Sequence, residues 1–521
     1  MTDWTNGWTR RQFGGGLVAA GATTGILAAS GRPALAQQPA HGGRLRVGAQ
    51  DISATETVDP AKSLNSIDYI RVNLLYSRLV NFVPGIGPSP VLATEWEPNA
   101  DATRWAFRLR EGVEFHNGKT LTAADVVHSL QRIQDPNTAS PVAGLISDVA
   151  SISADGDNMV VLEMSAPNAD LPNLLTEYHF LIVPADASDF PADAIGTGPW
   201  MMQDYEPGRP SLFVRNPNYF REGLPYIDEV EVTGVPDDTA RSNALLAGDL
   251  DVIAELDPRL VGQFEAADGV TILSGASGSH VVYPMMCNEG LYADNNMRLA
   301  VKHALDRQRY VDIAFGGQGI VANDHPIAPF DPYHCSDIPQ RGADPDKVKY
   351  HLRQAGHENT ALTLETSDAV YGGVDSAVVM AELMSEAGLN ISVSRNPADG
   401  YWSEVPGKKP WFGTYYFGRP SANAMLSLVY LSDSGWNEPQ WKNERFDSII
   451  HEARGVTDEA LLKELYCEAQ WLLHDEGPSL MPIFYNWLDG LSSRVQGMEA
   501  HPHGALGQLK WDEVWLSDAE A

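Results

Sequence analysis

LATEWEPNADATRWAFRLREGVEFHNGKTLTAADVVHSLQRI, residues 92–133, is the stretch of this 521-residue chain that decides its fold. Trp105, Phe107 and Leu109 alternate with Ala106, Arg108 and Arg110, the period-two pattern of a strand with one buried face. A second short strand is predicted at 113–115, and Asn117-Gly118 supplies the positive φ of a tight turn. Thr122 then opens a helix. Its hydroxyl can accept from the Asp125 backbone N–H while the Asp125 carboxylate reaches back, and Val126, Val127, Leu130 and Ile133 share one stripe. Asp135-Pro136 ends the helix.

Outward from this stretch the chain keeps alternating strand and helix patterns, which makes it α/β. Towards the N-terminus, 44–47 read as a strand and 67–79 as a helix. Towards the C-terminus, strands are predicted at 159–164, 251–253, 281–285, 362–365, 391–394 and 412–416. Helices are predicted at 240–250, 297–307, 373–387 and 460–473. Gly196-Thr197-Gly198-Pro199-Trp200 fixes a backbone course that residues with side chains could not follow. About 480 residues past the leader are too many for one core, so two or three lobes are expected.

The first 36 residues read as an export signal. Arg10-Arg11 precedes a mild Gly/Ala-rich apolar run, and Ala34-Leu35-Ala36 fits the small-residue cleavage rule, a combination that favours the twin-arginine (Tat) route. Gly, Thr and Ser interrupt that run, so stable membrane insertion is not expected. The first cysteine is Cys287, which leaves no lipid-anchor site near the cleavage point and points to a Gram-negative periplasm. A formal charge of −33 repels nucleic acid and anionic lipid. Three cysteines (Cys287, Cys335, Cys467) allow at most one disulfide.

Three blocks of the opening stretch, Leu92-Ala93 with Trp96, 107–118 and 121–129, resemble the signature of the extracytoplasmic solute-binding proteins of family 5, the peptide/nickel class. Further blocks resemble the same family: 196–200, 216–220, 225–230, 240–250 and 297–307, the last departing at Met297 where valine is usual. The resemblance implies a two-lobed periplasmic-binding-protein fold, type II-like, with an inserted subdomain. The expected division is lobe I at 37–79, 196–278 and 484–521, the insert at 80–195, and lobe II at 279–483, with the return beginning near Met481. It also implies a monomer without cofactor that closes on a small-molecule solute and delivers it to the permease of an ABC importer.

Catalytic motifs fail on spacing. His451-Glu452 is followed by Gly455 instead of a second zinc-ligating histidine, and Gly275-Ala276-Ser277-Gly278 misses GxSxG. Gly112 and Gly118-Lys119-Thr120 miss the phosphate-loop spacing by one residue. His334-Cys335 and His501-Pro502-His503 could bind a soft metal, although structural histidines are commoner.

The candidate ligand-binding segment is Trp411 to Pro420. Where peptide-binding relatives carry an aspartate for the α-ammonium, this chain has Arg419, whose guanidinium forks onto carboxylate or phosphate. The resemblance with this departure implies a small anionic peptide-like or opine-like solute. A surface arginine ending a strand is the alternative. Tyr401, Trp402, Tyr416, Trp436 and Asn437 are the further candidates for the cleft, with core packing the alternative for each tryptophan. A nickel-chelate carrier, a free-peptide binder and an enzyme reusing the fold stay open.

Overall fold

The computed structural model describes residues 39–53, 55–84, 86–504, 506 and 510–517; the export signal read at 1–36 lies outside them. Three sheets organise the described residues. The first has seven strands in the order Val270–Gly275, Trp487–Ser492, Val252–Ile253, Arg44–Ala49, Glu229–Gly234, Ser211–Arg215, Trp200–Asp204. Arg44–Ala49 lies parallel to both of its neighbours, Glu229–Gly234 and Val252–Ile253, and the remaining pairings are antiparallel. The alternation read at 44–47 is the burial pattern found, with Leu45 and Val47 fully enclosed.

The second sheet is built on the opening stretch. Ala93–Pro98 pairs with Arg104–Leu109, which pairs with Met159–Met164, and Val149–Ala154 closes the order; every pairing is antiparallel. Trp105, Phe107 and Leu109 are buried, as their alternation requires. Helix Ala123–Gln134 carries the reciprocal cap at Thr122 and Asp125, and Asp125 also accepts from Ala185 N and from Lys119 Nζ. The strand read at 113–115 reduces to a single bridge, Glu114 to Thr120. A tight turn at Gly118 (φ +81°) makes the loop too short for a ladder.

The third sheet is antiparallel, in the order Gly319–Val321, Ser479–Tyr485, His280–Pro284, Thr414–Tyr416. A parallel pair, Ala361–Thr366 with Asn390–Arg395, joins it through the Glu365–Phe412 bridge, with helix Gly373–Glu386 as the crossover. The helix read at 297–307 is two helices, Asn295–Ala304 and Arg307–Ala314. Asp306 breaks it by accepting from Arg309 N and capping the second. The other helices shorten at their ends, to Ser66–Leu75 and Asp238–Leu246, while the last lengthens to Glu459–Glu476.

Fold class is therefore two-lobed α/β with an inserted subdomain, as the sequence led us to expect. The subdomain does not stand alone: its core, including Phe107, Phe115 and Leu130, is continuous with residues from helices Ala422–Tyr430, Glu444–Arg454 and Glu459–Glu476. A disulfide, Cys335–Cys467, pins the 335 loop to the last of these helices, and Gln470 ties the same loop by accepting from Cys335 N and donating to Tyr333 O.

Two connections carry the chain between the first and third sheets, and they run side by side. One spans Ala276–Ser279; the other is Asn486 alone, between strands Ser479–Tyr485 and Trp487–Ser492. The return thus falls at Asn486 rather than near Met481, because the fully buried strand stays paired in the third sheet to its end. Tyr485 N donates to Ser279 O at 3.0 Å and Ser277 Oγ donates to Tyr485 O at 2.5 Å.

Candidate functional site

Arg419 is positioned by the strand before it and by a glycine. Thr414–Tyr416 pairs with His280–Pro284, and the chain then turns at Gly418, whose N–H donates to Ser279 Oγ. A Cβ on Gly418 would sit 2.9 Å from Pro502 O and 3.2 Å from Gly278 Cα, so the close approach beside the crossing excludes a side chain. Arg419 leaves this turn with its guanidinium 5.5 Å from the centre of the Trp436 ring, and Nη1 donates to Glu177 Oε1 at 2.9 Å. The two side chains are 7% and 3% exposed, so this ion pair is dry.

Glu177 follows strand Met159–Met164 and Arg419 follows Thr414–Tyr416, so the pair joins segments 242 residues apart. Burial alone would raise the Glu177 carboxyl; the Arg419 charge and the His179 ring, 3.8 Å away, hold it instead at about 2. Beside it Tyr178 stacks on Tyr69 at 4.9 Å and donates to His503 O. Three further contacts cross the same junction: Ser421 Oγ to Asp170 Oδ2, Arg454 to Asp148, and Ala169 N to Arg454 O. Among the described residues Arg419 Nε has no acceptor. A void of about 20 Å³ bounded in part by Arg419, Ser421, His503 and Gly278 adjoins the pair.

The other sequence-derived candidates separate. Trp436 is the ring beneath Arg419 and stacks on Tyr416 at 6.1 Å. The Tyr416 hydroxyl donates to Glu438, whose carboxyl burial pushes up to about 7. Trp402 is 46% exposed and meets Tyr415 edge-on at 5.6 Å, a rim position. Tyr401 is enclosed, its hydroxyl donating to Gly413 O. Asn437 spends its side chain inside its own loop, donating to Leu431 O and Trp441 O and accepting from Trp441 N. His501 and His503 pack edge-on beside Phe82, and Cys335 is in the disulfide. A separate open cavity of about 520 Å³ on the second lobe, lined by Cys287, Arg298, Lys442 and Glu476 among others, is faced by none of these candidates.

Sequence reasoning missed a buried acidic cluster. Asp51 and Glu255 follow the parallel strands Arg44–Ala49 and Val252–Ile253 at their C-terminal ends, the edge where α/β sheets place ligands. Asp489 lies with them, accepting from Glu255 N at 3.1 Å and Leu506 N at 2.5 Å. Glu255 holds a left-handed backbone (φ +55°), a sparsely populated conformation for a residue with a side chain. Burial, with the Asp51 charge adding to it, pushes the Glu255 carboxyl to about 8, and burial takes Asp489 to about 7. An acid two residues past the end of each of two strands was the available signal.

A raised carboxyl keeps, in the folded protein, a proton that the unfolded chain has released. Its contribution therefore makes stability fall as pH rises from about 4.5 to about 8. Glu255→Gln, which cannot ionise, is expected to exceed the wild type by on the order of 2–4 kcal/mol above the upper end of that window and to match it below the lower end. Urea unfolding of both proteins across the window measures this; a difference that does not vary with pH would refute the raised ionisation.

Sheet order and the paired crossings give two sheet-built halves joined by two adjacent connections. Residues 87–438, more than half of the chain, match the model of the bacterial extracellular solute-binding proteins, family 5 (middle region), and the chain belongs to that family. It is 27% identical over 474 residues to heme-binding protein A of Haemophilus influenzae, covering 82% of this chain and 85% of that one. It is 26% identical to di/tripeptide-binding protein 2 of Pseudomonas aeruginosa, covering 87% and 92%. Among solved structures, the binding protein DppA of Helicobacter pylori in complex with the peptide STSA superposes with a TM-score of 0.81 at 21% identity, covering 92% and 99%. AgaA of A. tumefaciens R10, in complex with agropinic acid, gives 0.80 at 20% identity, covering 91% and 99%. Family members serve ABC permeases and bind small solutes outside the cytoplasm. Among the described residues no helix is long and apolar enough to cross a membrane.

Proposed function

We propose that this chain is a periplasmic, Tat-exported, monomeric receptor of an ABC importer, without enzymatic activity. Its solute is a small peptide-like or opine-like compound bearing an acid group. The lobes follow the division read from the sequence, with the second crossing at Asn486. Arg419 carries this reading: a guanidinium enclosed between lobes, set on Trp436, with Nε lacking an acceptor among the described residues. A solute carboxylate taking that free edge would make a charge-assisted bond in a dry setting, and Glu177 would hold the guanidinium in place for it. Relatives whose printed names cite peptides and agropinic acid support the solute class. Differential affinity for the closed form would drive closure, and the closed form is what the permease would engage.

Mass spectrometry of small molecules released from natively purified, denatured protein is expected to find an amino-acid-derived compound with at least one acid group. Adding that compound to the stripped protein is expected to reduce the radius of gyration in solution scattering. A solute without an acid group, stoichiometric nickel, or binding without compaction would each overturn part of this reading. Export by the Tat route predicts that Arg10→Lys with Arg11→Lys leaves unprocessed protein in the cytoplasm, read by fractionation and immunoblot.

A further inference from the structure

The open cavity of about 520 Å³ shares no lining residue with the surroundings of Arg419, and the ends of three helices build it. Helix Asn295–Ala304 brings Asn295 and Arg298 to it, Glu444–Arg454 brings its N-cap Asn443, and Glu459–Glu476 brings its last residue. The loop ahead of Asn443 adds Gln440, Trp441 and Lys442. This wall is held from within. Asn437 accepts from Trp441 N and donates to Trp441 O, and Cys287 N donates to Pro439 O at 2.8 Å. Side chains also bridge the elements, Asn443 Nδ2 donating to Glu476 Oε2 at 3.2 Å and Asn288 Nδ2 to Gln440 Oε1 at 2.9 Å. The volume falls in the range of small-molecule sites.

Arg298 is the buried charge of the wall. It is only 5% exposed, and every partner it has among the described residues is a backbone carbonyl: Nη1 donates to Tyr292 O and Ala293 O, and Nη2 to Glu476 O. Its Nε is enclosed as well and has no acceptor among the described residues. Burial lowers this guanidinium below its usual range. Carbonyl dipoles alone give a buried cation no full counter-charge. Asn295 Oδ1, also enclosed, has no donor. At the rim Lys442 is exposed and enters no ion pair among the described residues. The wall thus turns two cations against one carboxylate, Glu476, and its carboxamides suit hydroxyls, which like them both donate and accept.

We infer that this cavity is a second binding site, for a hydroxylated monocarboxylate of the sugar-acid kind, its carboxylate between Arg298 and Lys442 and a hydroxyl donating to Asn295 Oδ1. A charge-assisted bond to Nε supplies the counter-charge that Arg298 lacks. The one cation in excess matches a single carboxylate, whereas a phosphate would bring nearly two negative charges up to Glu476. An acid without hydroxyls would leave Asn295 Oδ1 unpaired. The site stands independently of the solute capture proposed at Arg419.

Cys287 lines the cavity, and with Cys335 and Cys467 joined it is the thiol that an alkylating reagent meets. The test treats the unreduced mature protein with N-ethylmaleimide, at mildly alkaline pH because burial pushes this thiol up, and reads the modification by mass spectrometry. The probes are D-gluconate, L-lactate, propionate, L-serine and inorganic phosphate. Gluconate is expected to slow alkylation saturably, and lactate to protect better than propionate, which lacks the hydroxyl. Lys442→Glu, a substitution at the rim, and Arg298→Gln are each expected to weaken protection by about tenfold or more, while Arg419→Ala leaves it unchanged. Circular dichroism shows that each variant is folded, and Lys442→Glu decides the matter should Arg298→Gln not fold. No saturable protection of wild type by gluconate, or equal protection of a folded Lys442→Glu, overturns the site. Propionate equal to lactate, or serine or phosphate better than gluconate, overturns the ligand class. Protection lost in Arg419→Ala assigns the effect to Arg419 and overturns the second site. A protein that neither retains a solute nor compacts loses the capture reading, and alkylation of Cys287 still decides the cavity by itself.

Discussion

Arg419→Ala is expected to destabilise the closed protein by about 3–5 kcal/mol, because it leaves the Glu177 carboxylate enclosed without its counter-charge. His179 is 3.8 Å from Glu177 through a ring nitrogen and its other nitrogen is engaged with Ser63 O, while Arg78, whose charge also acts on Glu177, donates to Asn73 and Asn81. With the partners on opposite lobes, as the proposed division has them, the loss falls first on closure. Solution scattering should therefore show a more open particle before urea shows a lower midpoint. The solute identified by mass spectrometry should bind more than about tenfold more weakly, having lost the fork it would share with Glu177. Arg419→Lys keeps the charge but not the planar geometry and should lie between the two. Replacing both partners by leucine should recover much of the closure, because then no charge is stranded. The pair has a definite pH window: a carboxyl held at about 2 against an ordinary 4.5 contributes fully above about 4.5 and is lost as pH falls towards 2. If a double-mutant cycle gives no coupling between Glu177 and Arg419, the pair does not hold the lobes together.

Removing the disulfide is expected to have an effect of similar size. Cys335 and Cys467 are 132 residues apart, and a bond closing so long a loop restricts the unfolded chain by roughly 4–5 kcal/mol in the chain-entropy account. Cys335→Ser with Cys467→Ser, or reduction of the wild type, should lower the urea midpoint accordingly. Cys287→Ser should not, since that thiol is free and only half-buried. An unchanged midpoint on reduction would mean that the helical face around Gln470 holds the 335 loop unaided.

What could be read from the sequence followed the range of the interactions that specify it. The 92–133 stretch was legible because alternation, a turn glycine and a reciprocal helix cap are all local. Gly196 and Gly198 were legible as backbone constraints, and the structure gives the reason: a Cβ there would fall 1.9 Å and 2.5 Å from backbone oxygens of Leu75 and Leu74. The split at Asp306 was missed because an aspartate inside a helical pattern reads as an exposed position until its carboxylate is seen to cap the next helix. Arg419 was noticed through a departure from a family pattern, whereas Glu177 was not, since nothing nearby in the chain announces a partner 242 residues away. Tyr401 and Asn437 carry residue types suited to a cleft, but their polar atoms serve local loops. The acidic cluster is assembled from chain positions 51, 255 and 489, so no window of sequence contains it.

The two crossings near Ser279 and Tyr485 act mechanically as a strap hinge. A single connecting segment would leave one half free to twist and slide as well as to bend. Two segments bonded to each other across Ser277, Ser279 and Tyr485 suppress twist and leave bending as the soft motion. Each swing then retraces nearly the same arc, and Gly418, packed against Gly278 at the pivot, starts Arg419 from the same place every time. The entropic cost of bringing the guanidinium to Glu177 is therefore mostly met when the chain folds, and closure draws on solute contacts alone for what remains.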